Sequence, residues 1–304
     1  MTRRGRYAAD RGLVARMLVV VGLLLLLYVG AVGVLVAARV PVLLVLVVVV
    51  GAFVVQYVAS DKVALYAMNA RVVEPHEAPE LHGAIDRLCA LADTPKPRVA
   101  LSDSDVPNAF ATGRSPDRAV VCVTTGLVRR LEPDELEGVL AHELAHVAHR
   151  DVAVMTVASF LGVLAGLVTR FAVQATAQSG GGLVRRSRGG SKDSVLPVVL
   201  AVIVVSAVVY AVSFVLIRTL SRYRELSADR TAALLTGRPS SLASALTKIT
   251  GEMGRVPTRD LRAAEPFNAF FFTPALAPGF SLSSLFSTHP TLERRLAQLQ
   301  AMAG

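Results

Sequence analysis

Charge is missing from four long stretches of this 304-residue chain: 17–38, 40–60, 152–169 and 194–217 hold no Asp, Glu, Lys or Arg. Each runs roughly 18 to 24 residues, enough for a helix to cross a bilayer. Their Val and Leu runs also lack the alternation of a barrel strand, which needs only about 10 residues, so helices are expected. Tryptophan is absent, aromatics make up 6% and there are two cysteines. Cys89 and Cys122 have no paired spacing, which argues against a disulfide or a zinc knuckle and for two buried thiols. No small-residue cleavage site follows the first apolar run, which is also too long for a signal peptide. No internal repeat is present.

What the chain does have is apolar bulk, 53% hydrophobic residues and a mean hydropathy of +0.53, too apolar for an ordinary soluble enzyme of this size. Its net charge of +9 comes from basic residues that border the apolar runs and are not interleaved with aromatics. Anionic lipid headgroups are therefore the expected partner, and nucleic acid is not. Ahead of the first run stand Arg3, Arg4, Arg6, Arg11 and Arg16 against Asp10. This positive-inside bias places the amino terminus in the cytoplasm. Four spans then put 61–151 and 218–304 on the same side, although Arg185, Arg186, Arg188 and Lys192 in the loop near 179–193 run against that topology.

The expected organisation has four parts: a basic terminus and transmembrane hairpin in 1–60, a first catalytic part in 61–151, a second pair of spans in 152–217, and a second catalytic part in 218–304. In the second pair, the third span can extend to about residue 178. Leu81, Ile85, Leu88 and Leu91 give 78–92 a helical apolar face after Pro75 and Pro79. Short extended runs at 98–101, 108–112 and 119–124, divided by turn-rich SDSDVPN and TGRSPD, predict a small antiparallel sheet. Pro133, Asp134 and Glu135 suit the first turn of the next helix. A helix over 225–235 stops at Gly237 and Pro239. The Phe-rich stretch 251–287 fits packing of an irregular connection better than membrane insertion, and a last helix starts near His289 and Pro290.

The helix after Pro133 carries the chemistry. Residues 142–146 read HELAH, with His142 and His146 one turn apart on one face and Glu143 beside them. Two imidazoles at that spacing converge on a tetrahedral metal, and the carboxylate can take a proton from water there. A five-residue pattern can arise by chance on a solvated helix, but Leu136, Val139, Leu140, Leu144 and Val147 give this one a buried side. The acidic residues leading into it argue against a helix lying in lipid, and with it against an intramembrane protease. A third ligand is needed. His149 lies about 10 Å along the axis from His142, too far to share a metal on one straight helix. Glu225 in YRELSADR is the best candidate, with Asp229 one turn later to fix a metal-bound imidazole. The other reading pairs Glu225 and Asp229 with Arg222, Arg224 and Arg230 as surface ions. His76 and His82 have no partner spacing and are expected at the surface.

HELAHVAHRD, the upstream NAFATG and VVCVTTGL, the downstream RELSADR and the late THP occur in one order between about Tyr66 and Leu296. Together they resemble the HtpX family of integral-membrane zinc metalloproteases. The resemblance implies a mainly α protein with four transmembrane helices and a cytoplasmic gluzincin-like domain. It implies one Zn2+ per chain on His142, His146 and Glu225, Glu143 as catalytic base, and endoproteolysis of membrane or unfolded proteins in quality control and stress response at the cell membrane. It further implies that Asn108, Ala109 and Phe110 form an edge strand for an extended substrate. His289 would stabilise the oxyanion or cover the open coordination position, with Arg294 in support; a plain helix-start histidine is the alternative. A CAAX-type prenyl-protein protease shares the ligand pattern but has more spans, and a non-catalytic zinc-binding scaffold would hold metal without turnover. The distance from His146 to the third span, about six residues, and from the fourth span to Glu225, about eight, predicts that both ligand helices are direct extensions of membrane spans.

Overall fold

The computed structural model describes residues 11–37, 68–113, 115–151, 196–253 and 289–303, with isolated positions between 43 and 66. Most of the second expected span, all but the first residue of the 151–195 stretch that holds the third, the basic loop near 179–193 and most of the Phe-rich stretch lie outside the described residues. The chain divides into two compact units, one formed by Met1–Val14, Ala59–Val154 and Arg218–Gly304, the other by Ala15–Val58 and Met155–Ile217.

In the second unit, α1 (Arg11–Ala37) and the start of a 41-residue helix, α5 (Leu196–Thr236), are described. Val14–Val34 and a stretch beginning at Val202 are long and apolar enough to cross a membrane, and only 11% of each apolar window is buried. Exposure of that much Leu and Val makes sense in lipid and not in water. Two such helices are found among the described residues, so the expected count of four is not reached there. Tyr28 Oη and the fully buried Ser213 Oγ lie 3.2 Å apart, joining the two helices by a hydrogen bond of the kind that helices use in hydrocarbon.

The first unit is built on a four-stranded sheet of β1 (Ala70–Val72), β2 (Arg98–Ser102), β3 (Ala109–Thr112) and β4 (Val120–Thr124). The order is β1-β2-β4-β3. The expectation of an antiparallel sheet is corrected here: β2 and β4 are parallel, with Val99 opposite Val121, while β1–β2 and β3–β4 are antiparallel. The reason is topological. Because β4 inserts between β2 and β3, the strand next to β2 is the second to follow it in the chain and runs the same way.

Helices α2 (Pro79–Ala92), α3 (Thr125–Arg130), α4 (Pro133–Ala148), α6 (Pro239–Met253) and α7 (Leu292–Ala303) complete the unit. Ile85 and Leu88 of α2, Val99, Val121 and Val123 of the sheet, Val139 and Leu140 of α4, and Leu242, Leu246 and Ile249 of α6 are all buried in one core. Burial at 242, 245, 246 and 249 is the i, i+3, i+4, i+7 pattern of an amphipathic helix. Gly138 lets α4 and α6 approach closely, since a Cβ there would stand 3.3 Å from the Leu242 backbone. Just ahead of α6, Gly237 ends α5 with a φ of 67° and its N–H on Ala233 O.

Candidate metal centre

Helix α4 begins with a capping box: Glu132 accepts from the N3 backbone while Glu135 accepts from the Glu132 N–H at 2.9 Å. Ser244 and Lys248 of α6 donate to Glu135 at 2.6 and 2.8 Å, and Pro133 takes an early position where no N–H is needed. This fixed start sets the rotation of the helix, so His142, Glu143 and His146 all face inward with at most 8% exposure.

The two imidazoles meet edge to face, and their Nε2 atoms lie 3.1 Å apart. Each ring is held from behind by a carboxylate. His142 Nδ1 lies 2.8 Å from Asp229 Oδ1, and His146 Nδ1 lies 2.7 Å from Asp151 Oδ2. If each Nδ1 carries the proton donated to its carboxylate, both Nε2 atoms present lone pairs toward one point. Two nitrogens that close share a cation between them, either a proton or a metal ion. Glu225 adds its carboxylate there, with Oε1 3.4 Å from His146 Nε2 and Oε2 3.7 Å from His142 Nε2. His142, His146 and Glu225 form a buried group whose ligand atoms lie within 4.8 Å of one another, a set that could hold a metal ion.

The electrostatics favour a cation at the same point. Burial alone would push His146 down, but its bonds to Asp151 and Glu225 carry it up to about 10. His142 is raised in the same way, against burial, by Asp229 and Glu225. Glu225 is held well below the usual carboxylate range, despite burial, by His289 and the two histidines. Glu143 moves the other way: burial raises it, and the Ala111 amide and the two histidines offset that only partly. A carboxyl raised by burial beside a cation site is suited to proton transfer.

Strand β3 ends the sheet and packs beside α4. The Asn108 carbonyl accepts from the Thr124 N–H at 2.9 Å, and antiparallel alternation then turns the Ala109 and Ala111 amides and carbonyls away from β4. The Ala111 N–H donates to Glu143. Thr124 Oγ1 donates to Val106 O or Asn108 O, and accepts from the amides of Asn108 and Leu127, fixing the start of the strand. Phe110 turns to the opposite face of the sheet with Ala100, Val120 and Cys122.

His289 is buried, with Nδ1 3.1 Å from Glu225 Oε2. Arg294 is exposed, and the arginine that reaches the site is its neighbour Arg295. Helix α7 begins at Leu292 instead of near Pro290, with the Arg294 N–H on Thr291 Oγ1, and the side it buries carries Arg295 and Leu299, four residues apart. Arg295 Nε and Nη2 pair with Asp229 at 2.7 and 2.6 Å. Arg295 and Asp151 were not among the expected site residues. His149 is half-buried at the end of α4. His76 is exposed, whereas His82 is buried with Nε2 3.1 Å from Val73 O, contrary to its expected surface position. Both cysteines are buried and free.

The prediction that both ligand-bearing helices directly extend membrane spans holds for α5, unbroken from Leu196 to Thr236. It fails for α4. That helix stops at Ala148, and Arg150 takes a left-handed φ of 56°.

A helix bearing HELAH beside an edge strand, with a glutamate brought across from a second helix, defines a metallopeptidase centre. The profile of Peptidase family M48 matches residues 75–303, and the chain belongs to that family. It is 60% identical over 297 residues to Protease HtpX homolog 1 of Streptomyces coelicolor, covering 97% of this chain and 94% of that protein. It is 51% identical to the Protease HtpX homolog of Moorella thermoacetica, covering 98% and 97%. Among solved structures, the crystal structure of S. mikatae Ste24p shares the fold with a TM-score of 0.53 at 20% identity, covering 83% of this chain and 57% of that one. The protein is a membrane metalloprotease of the HtpX group.

Proposed function

We propose that the chain is a zinc-dependent endopeptidase that cuts membrane or misfolded proteins at the cytoplasmic face of the cell membrane. The observation that carries this reading is the pair of Nε2 atoms 3.1 Å apart, each ring backed by a carboxylate. Two imidazoles and one carboxylate suit zinc, one ion per chain. When bound, zinc supplies Lewis-acid polarisation of the scissile carbonyl and of the attacking water.

His142, His146 and Glu225 hold the ion, and Asp229 orients His142. Glu143 accepts the proton of the attacking water and passes it to the leaving amine. The edge formed by Asn108, Ala109 and Phe110 takes an extended polypeptide by backbone pairing, a mode that does not depend on sequence and so suits varied unfolded substrates. His289, against Glu225, stabilises the developing oxyanion or covers the open coordination position at rest. The four charge-free stretches are read as four spans, and the basic residues ahead of the first put the amino terminus in the cytoplasm, so both catalytic parts, 61–151 and 218–304, lie on the cytoplasmic side.

The test is Glu143→Gln in the purified full-length chain with zinc supplied. Zinc content should stay near one per chain while cleavage of itself or of an unfolded membrane substrate falls by at least about 100-fold. Normal cleavage by that variant defeats the assignment, and zinc without turnover in the native chain leaves the scaffold reading in its place. The CAAX-type alternative is not favoured by the HtpX relatives.

A further inference from the structure

The imidazole of His146 is held by a residue five positions later in the chain. On a continuous α-helix, residues five apart point about 140° away from each other and stand about 7.5 Å apart along the axis. No such pair can share a hydrogen bond on one helix. Yet His146 Nδ1 and Asp151 Oδ2 lie 2.7 Å apart. What brings them together is the end of α4: the His149 N–H bonds Ala145 O, the Arg150 N–H bonds Val147 O, and Arg150 takes its left-handed φ. The helix is broken there, and Asp151 comes against His146 with no exposure.

Asp151 is itself held from the other ligand helix. Arg224 Nε lies 3.1 Å from the same Oδ2, and Arg224 immediately precedes Glu225 on α5. One buried oxygen therefore stands between the imidazole of the HELAH segment, which it hydrogen-bonds, and the guanidinium charge on the helix that presents the glutamate, with which it forms an ion pair. A carboxylate with two such partners has little rotational freedom, so it fixes both the tautomer of His146 and the direction of its Nε2.

We infer that Asp151, braced by Arg224 and placed by the left-handed turn at Arg150, is the positioning residue for His146 and ties the two metal-facing helices together. The inference rests on the metal-binding reading above and goes beyond its ligand set. Asp151 touches neither substrate nor metal; it acts through the imidazole. Arg150 serves only by its backbone, since its side chain is exposed.

The experiment measures zinc affinity of the detergent-solubilised full chain by competition with a chromophoric chelator, alongside its thermal midpoint without metal. Asp151→Asn should weaken zinc roughly 10- to 100-fold, the usual loss when such an outer partner is removed. Asp151→Glu should recover part of it, and Arg150→Gly, which keeps the turn, should match the native chain. Should Asp151→Asn fail to fold, Arg224→Lys carries the test, with weaker zinc binding expected because the shorter ammonium side chain loses the close approach of the guanidinium to Asp151. Native zinc affinity in the folded Asp151→Asn chain, or in Arg224→Lys where that is the variant used, overturns the inference even if the thermal midpoint falls, because that is the signature of a merely structural role. A native chain that takes up no zinc instead overturns the metal-binding reading, and this inference with it.

Discussion

The two histidines of the centre occupy the same helix and face the same point, but they are supported in different ways. Behind His142, Asp229 spends both oxygens on a bidentate pair with Arg295, with all partners 2% exposed or less. Behind His146, a single oxygen of Asp151 is divided between the ring and Arg224. The first support is a planar fork that fixes geometry and strength together. The second is a point contact whose placement depends on a backbone turn. His142 is thus anchored by side chains remote in sequence, and His146 by a carboxylate that a local helix break brings to it.

Three substitutions test whether that difference matters. Asp229→Ala should have the largest effect, because it strands the Arg295 guanidinium in a fully buried site. A loss of about 3–5 kcal/mol in stability is expected, read by denaturant unfolding, together with loss of bound metal. If it costs no more than Asp151→Ala, the asymmetry between the two supports is wrong. Arg295→Lys keeps the charge but replaces the fork with a single ammonium, and a smaller loss of about 1–3 kcal/mol follows. Full stability with native metal affinity in that variant would show that the second nitrogen contributes nothing. The smallest effect belongs to Gln298→Ala, which removes a 2.6 Å bond from Gln298 Nε2 to Leu226 O between α7 and α5. It should cost about 0.5–1.5 kcal/mol and leave zinc binding unchanged; a drop in metal affinity would mean that the seating of α7 itself positions Arg295.

The parts legible in the sequence are those governed by a single helical period. HELAH puts two imidazoles on one face by spacing alone, and Glu225 and Asp229 share a face for the same reason. The parts that were missed lie where a period is interrupted. Asp151 falls on the far side of α4 by helical arithmetic, and only the turn at Arg150 brings it back. Arg294 and Arg295 differ by about 100° around a helix, and the buried face of α7 is the one that carries Arg295 and Leu299. Helix α6 was hidden because Pro239 was read as the end of one helix, when it also opens the next. In the sheet, the extended runs are visible in the sequence but their pairing is not, because β4 pairs with β2 across the intervening β3. The three-residue β1, too short for a pattern, went unrecognised. His82 shows the same limit, as a lone histidine that found a backbone carbonyl in the core.

The distance in sequence between Asp229 and Arg295 also has a consequence in time. They are 66 positions apart, an interval that a ribosome covers in roughly 3 to 13 s at about 5–20 residues per second. Throughout it, His142, Glu143, His146 and Glu225 have all been made while the buried aspartate still waits for its guanidinium. For those seconds the metal-facing residues stand without the pair that anchors His142, and that fork is one of the last parts of the centre to arrive.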